Sequence, residues 1–129
     1  MSIVIEMFEE AERKTGPSVS MLQAEVESNL RKVGIRVLSP EDLVKTIAGA
    51  YLYVNVQTLA DRSEEGPAFN IDIALKQRVR LLRDASSIVS AATWSDGVTG
   101  RGHWNYVRVA VKNEVDRFIH AWLSVNRPL

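Results

Sequence analysis

Between Phe69 and Leu81 the chain alternates. Phe69, Ile71, Ile73, Leu75, Val79 and Leu81 are large and apolar, whereas Asn70, Asp72, Lys76, Arg78 and Arg80 are polar or charged. A period of two held over these positions predicts a long β-strand with one buried face and one wet face. The same parity sets Lys76, Arg78 and Arg80 in a row on the wet face. The apolar face needs a covering layer, and each large side chain contributes at most on the order of 2 kcal/mol when buried.

Helical spacing supplies that layer twice. Val19, Leu22, Val26, Leu30 and Val33 recur every three or four residues and predict one helix. Ser20 with Gln23 makes a capping-box pattern at its start, and Gly34 is placed as the left-handed residue beyond its end. A second helix is predicted from about His103 to Val125, with Trp104, Val107, Val111, Val115, Phe118, Ile119, Trp122 and Leu123 on one stripe. Pro128 follows its end.

Shorter patterns fill in the rest. Ile3–Phe8 is an apolar run, read as a strand buried on both faces. Glu9–Lys14 reads as a helical turn closed by Gly16-Pro17. Ile35–Leu38 reads as a second strand, placed parallel to the first by the helix between them. Ser39-Pro40-Glu41-Asp42 is a helix start. Tyr51–Leu59 alternates, with Leu52, Val54 and Val56 on one face and Tyr51, Tyr53, Asn55 and Gln57 on the other. Asp61–Pro67 reads as a polar loop. Asp84-Ala85-Ser86 turns the chain into a small-residue strand over Ser87–Trp94, which Asp96-Gly97 and Gly100-Arg101-Gly102 then interrupt. The expected fold is α+β: a two-layer sandwich in one domain, residues 1–129. Its sheet is mixed and five-stranded, a β-α-β unit followed by an antiparallel meander, with both long helices on one face.

Composition changes this picture little. The chain has 129 residues and no cysteine, so disulfides, thiolate metal sites and a cysteine nucleophile are excluded. No apolar run reaches the roughly 18 residues of a membrane span, and Met1–Phe8 lacks a basic region followed by an apolar core, so no signal peptide is expected there. Net charge is zero but unevenly placed. Residues 1–65 hold 7 basic and 11 acidic groups (net −4), and residues 66–129 hold 9 and 5 (net +4). Such asymmetry can orient a molecule toward a partner.

Several ordered motifs also carry a likeness. Leu30–Val37, Tyr51–Val56, Leu75–Leu81, Ala91–Ser95, Asp116–Ile119 and Leu123–Asn126 together resemble a family of small bacterial proteins, usually exported, with no assigned function. The resemblance covers about residues 18–126. It implies the same fold and a periplasmic or other envelope location, and it implies no catalytic residue.

Candidate chemistry is sparse. His103 and His120 sit about a helix length apart, too far to share an ion, so no metal site is expected. Ser95, Asp96 and His103 contain the residue types of a nucleophile, an orienting acid and a base, but Thr93-Trp-Ser-Asp-Gly97 lacks the glycine-flanked serine elbow. Gly97, Gly100 and Gly102 lack the offsets and lysine of a phosphate loop. No cofactor is implied. The strongest candidate surface is the wet sheet face: Lys76, Arg78 and Arg80 beside Tyr51 and Tyr53, with Trp94 at a strand end. The expectation is a noncatalytic protein-interaction or envelope-associated domain, with self-association as a homodimer among its modes. The alternative is single-stranded nucleic-acid binding by the same basic-aromatic face.

Overall fold

The computed structural model describes residues 1–9, 18–39, 41–42, 49–59 and 66–126. Four strands, β1 (Ser2–Glu9), β2 (Tyr51–Leu59), β3 (Ala68–Leu81) and β4 (Asp84–Arg101), form one sheet in sequence order. Among the described residues, the helices α1 (Val19–Lys32) and α2 (Trp104–Val125) pack with this sheet to give an α+β fold. β1 and β2 run parallel, and β2–β3–β4 is an antiparallel meander.

Parity decides the layers. Leu52, Val54 and Val56 of β2 stand beside Phe69, Ile71, Ile73 and Leu75 of β3, and all seven are buried. Ile3 and Ile5 extend the apolar face across β1. Leu22, Val26 and Leu30 cover it from α1, and Val107, Val111, Val115 and Phe118 from α2. α1 lies over β1, while α2 lies over β3 and β4. An ion pair between Glu25 and Arg108 at 2.6 Å ties the helices together on their outer side.

The expected strand over Ile35–Leu38 is absent, and among the described residues the sheet has four strands instead of five. The parallel partner of β1 is therefore β2. The local cause is the end of α1. Gly34 takes φ +86°, its N–H donates to the Arg31 carbonyl, and the Ile35 N–H donates to the Leu30 carbonyl. This is a Schellman closure, with buried Ile35 packed at the Leu30 end. Ile35 thus spends its N–H and its side chain on the helix. Arg36 and Leu38 then bracket Met1 alone: the Met1 ammonium donates to the Arg36 carbonyl at 3.1 Å and the Leu38 N–H donates to the Met1 carbonyl at 2.6 Å, a single parallel-type contact that does not extend into a ladder.

Three boundaries also differ from expectation. The N-cap of α1 is Ser18, whose Oγ accepts from the Met21 N–H at 3.2 Å; Ser20 is already inside the helix. The reversal between β3 and β4 is Leu82-Arg83, and Asp84 opens β4. Finally, β4 runs unbroken through Gly97 and Gly100. These glycines serve close packing: a Cβ on Gly100 would stand 2.8 Å from the Phe69 ring, and one on Gly97 would stand 2.8 Å from the Asp72 carboxylate.

The expected turn at 9–14, the body of the helix after Ser39 and the loop at 61–65 lie outside the described residues. Within them, Ser39 Oγ accepts from the Asp42 N–H at 3.2 Å, as a helix cap would.

Candidate functional site

The open sheet face collects five of the six surface candidates. Ladder register sets Tyr51 beside Lys76, and Tyr53 beside Ala74. Arg78 and Arg80 continue the row, facing Ser90 and Ile88 of β4. Lys76 Nζ stands over the Tyr53 ring, 4.9 Å from its centroid. The Tyr53 hydroxyl donates to Glu6 at 2.7 Å and accepts from Asn55 at 3.0 Å. Further along, Asn70 donates to Asp72 and accepts from Thr99, each at 2.8 Å. This face is a polar mesh of neighbouring strands, and its carboxylates offset part of its positive charge.

Trp94 is the exception and corrects the sequence expectation. It pairs with Leu75, on the helix side of β4, and meets Phe118 edge-on with ring centroids 5.4 Å apart. Thr93 is the cause. Leu75 pairs with Trp94 and Lys76 with Ala92, so Thr93 is an extra residue in β4, which re-aims the chain as a bulge does. Trp94 therefore shares no surface with Tyr51 and Tyr53.

A projecting arm is the feature the sequence concealed. β2 accompanies β3 only as far as Lys76. Beyond it, Gln77–Leu81 and the facing part of β4 pair only with each other among the described residues. This two-stranded arm extends about 20 Å past the sheet at the usual strand rise. Near its tip the ladder jumps from Arg80–Ile88 to Leu81–Asp84, leaving Ala85, Ser86 and Ser87 as a bulge. Side chains fix that bulge. Arg80 donates to the Ala85 carbonyl at 2.8 Å. Asp84 accepts from the Ser86 hydroxyl at 2.6 Å, the Ser86 N–H at 3.1 Å and the Ser87 hydroxyl at 2.8 Å. Those donors, the Ser86 hydroxyl foremost, hold the Asp84 carboxyl below its ordinary range. Leu82 at the apex is fully exposed, as are much of Ile88 and Val89 behind it.

A second site lies where α2 meets β4. Asp96 pairs with Ile73 on the helix side and accepts from Arg117 at 2.8 Å. Beside it Glu114 is only 3% exposed, and its Oε2 has no partner among the described residues. Burial pushes the Glu114 carboxyl up to about 7, helped by the hydrogen bond and charge of Asp96, while Arg117 opposes the rise. Asp96 moves the other way, lowered chiefly by its hydrogen bond with Glu114. A shallow depression of about 460 Å³ opens beside the pair, lined by Trp94, Asp96, Arg117 and His120. It adjoins an apolar groove of about 560 Å³ walled by Leu75, Trp94, Phe118 and Trp122. Glu114 was visible in principle, since it falls on the helical stripe between Val111 and Phe118.

The serine, acid and base types noted in the sequence are not brought together. Ser95 pairs with Ala74 and faces the open side, whereas Asp96 faces the helices. His103 caps α2 beyond the end of β4, about 20 Å further along the strand. His103 and His120 lie at opposite ends of α2, and no group of three or more ligand-type side chains is found among the described residues.

No family model matches the chain, and no curated protein matches it. Three solved structures are similar in outline. A hypothetical protein from Chlamydia trachomatis shares 6% identity at TM-score 0.44, over 93% of this chain and 94% of that one. A putative neuraminyllactose-binding hemagglutinin homolog from Helicobacter pylori shares 15% identity at TM-score 0.33, over 98% and 85%. A lipoprotein from Neisseria meningitidis shares 13% identity at TM-score 0.38, over 93% and 98%. Likeness at this level identifies neither a reaction nor a ligand. Among the described residues, no helix is long and apolar enough to cross a membrane.

Proposed function

We propose that the chain acts as one noncatalytic interaction domain, docking through the β3–β4 arm and the basic row at its base. One observation carries this: the two strands outrun the sheet and hold Leu82, Ile88 and Val89 in water. Exposed aliphatic groups gathered on a projecting element mark contact surfaces. The bonded bulge behind them supports the same reading, because a fixed tip loses little freedom when it docks. An envelope location, which the family resemblance implies, suits such a role.

The nucleic-acid alternative gains less. One face of the Tyr53 ring is already covered by Lys76, and Glu6 sits at its hydroxyl, so that tyrosine offers a poor stacking platform.

A photoreactive amino acid placed at Arg80 or Ile88, compared with one at Ser28 or Asn113 on the helices, tests the proposal in cells that make the protein. Adducts concentrated at the arm support it. Equal yields at all four sites, or adducts confined to the helices, contradict it. Light scattering of the purified chain shows whether a second copy is the partner.

A further inference from the structure

We infer that the arm meets an anionic lipid surface, apex first; this rests on the docking role proposed above and names its partner. Leu82 at the apex is 107% exposed. Close behind it, Ile88 (53% exposed) stands on the open side of the ladder, and Val89 (42%) on the opposite side. The apolar groups therefore surround the tip. A rigid partner with one complementary surface covers one side of a ribbon and leaves the other wet. A fluid hydrocarbon boundary can enclose the apex and both sides together.

The dimensions agree. From Leu82 back to the Val79–Val89 pair is three strand residues, about 10 Å, which is the depth to which amphipathic elements sink at the headgroup boundary. Arg80 and Arg83 stand in the same zone, and Arg78 one residue behind it. Residues 77–92 hold those three basic groups and one acid, Asp84, for a net +2. Asp84 is engaged by Ser86 and Ser87, so its charge is turned into the bulge. Lipid phosphates attract such arginines by about five-fold in affinity for each one. A nucleic acid would also take the arginines, but it would leave the aliphatic tip in water, and the arm carries no aromatic side chain for a base to stack on.

The chain has no cysteine, so Leu82→Cys can carry a single environment-sensitive fluorophore, with Ser28→Cys on α1 as its control. The probes are vesicles of phosphatidylcholine alone and vesicles with roughly one-third phosphatidylglycerol, the anionic fraction on which basic segments depend. The expected result is brightening at position 82 on the anionic vesicles only, weakened by added salt, with no change at position 28. Co-sedimentation of the unlabelled chain should fall about ten-fold or more for Leu82→Asp and about five-fold for Arg83→Gln. Both substitutions lie outside the core, and an unchanged unfolding midpoint verifies that they fold. A position-82 label that stays aqueous, or equal brightening at position 28, overturns the inference. Absent vesicle binding with photo-adducts from position 88 to a protein overturns the lipid partner and leaves the docking role standing. Absent vesicle binding with no arm adducts removes both.

Discussion

At the residue scale, Glu114 is the most informative side chain outside the arm. Its carboxyl sits between α2 and β4 next to Asp96, with one oxygen unpartnered among the described residues. Its pKa rises to about 7 from 4.5, so the folded state binds its proton more tightly than the unfolded state does. Stability must then fall as pH rises from about 4.5 through 7, and level off above that range. Asp96, lowered in the fold, contributes stability that is lost below the ordinary carboxylate range as pH drops. Denaturant unfolding at pH 5 and pH 8 checks this. The wild type is expected to lose on the order of 2 kcal/mol across that interval, and Glu114→Gln is expected to lose much less. An equal loss in both proteins would place the effect elsewhere. Packing gives a second residue-scale expectation. Gly100→Ala brings a methyl within 2.8 Å of the Phe69 ring, so it should cost about 1–3 kcal/mol, read as a lowered denaturation midpoint.

At the element scale, long and strongly periodic segments were legible. The Phe69–Leu81 alternation became β3 with its odd residues inward as far as Leu75. The stripe from Val107 to Phe118 became the inner face of α2. What failed depends on partners distant in sequence. Ile35–Leu38 has a strand's composition, but the C-terminal closure of α1 takes its first N–H. Gly97 and Gly100 looked like breaks, because only Asp72 and Phe69 on the neighbouring strand explain why a side chain is missing there. Trp94 changed faces through one extra residue, Thr93, which no periodicity announces. The arm was hidden for a simpler reason: β3 reads as one strand, and nothing within it marks where β2 stops. Its bulge yields a prediction at this scale. Asp84→Ala removes the acceptor for Ser86 and Ser87. Amide exchange should accelerate over residues 84–88, while the midpoint of global unfolding moves by no more than about 2 °C. Unchanged exchange there would mean that the ladder alone fixes the tip.

At the scale of the whole molecule, the sheet divides labour along its length. Where four strands lie side by side, the two helices seal one face and the chain finds its stability. Beyond Lys76, among the described residues, only β3 and β4 continue the sheet, and these residues add little to the core while carrying exposed aliphatic and basic side chains outward. Part of the positive excess of residues 66–129 lies on this arm, so charge and shape point the same way. The division can be tested by joining Lys76 to Ala92 through an Asn-Gly turn, which removes the arm and keeps every buried core residue. Thermal unfolding and sedimentation with envelope fragments are then measured on the same sample. The expected result is a cooperative transition within about 3 °C of the full chain, with envelope association lost. A shortened chain that still sediments with the envelope, or one that no longer folds, would contradict the assignment of docking to the arm and folding to the body.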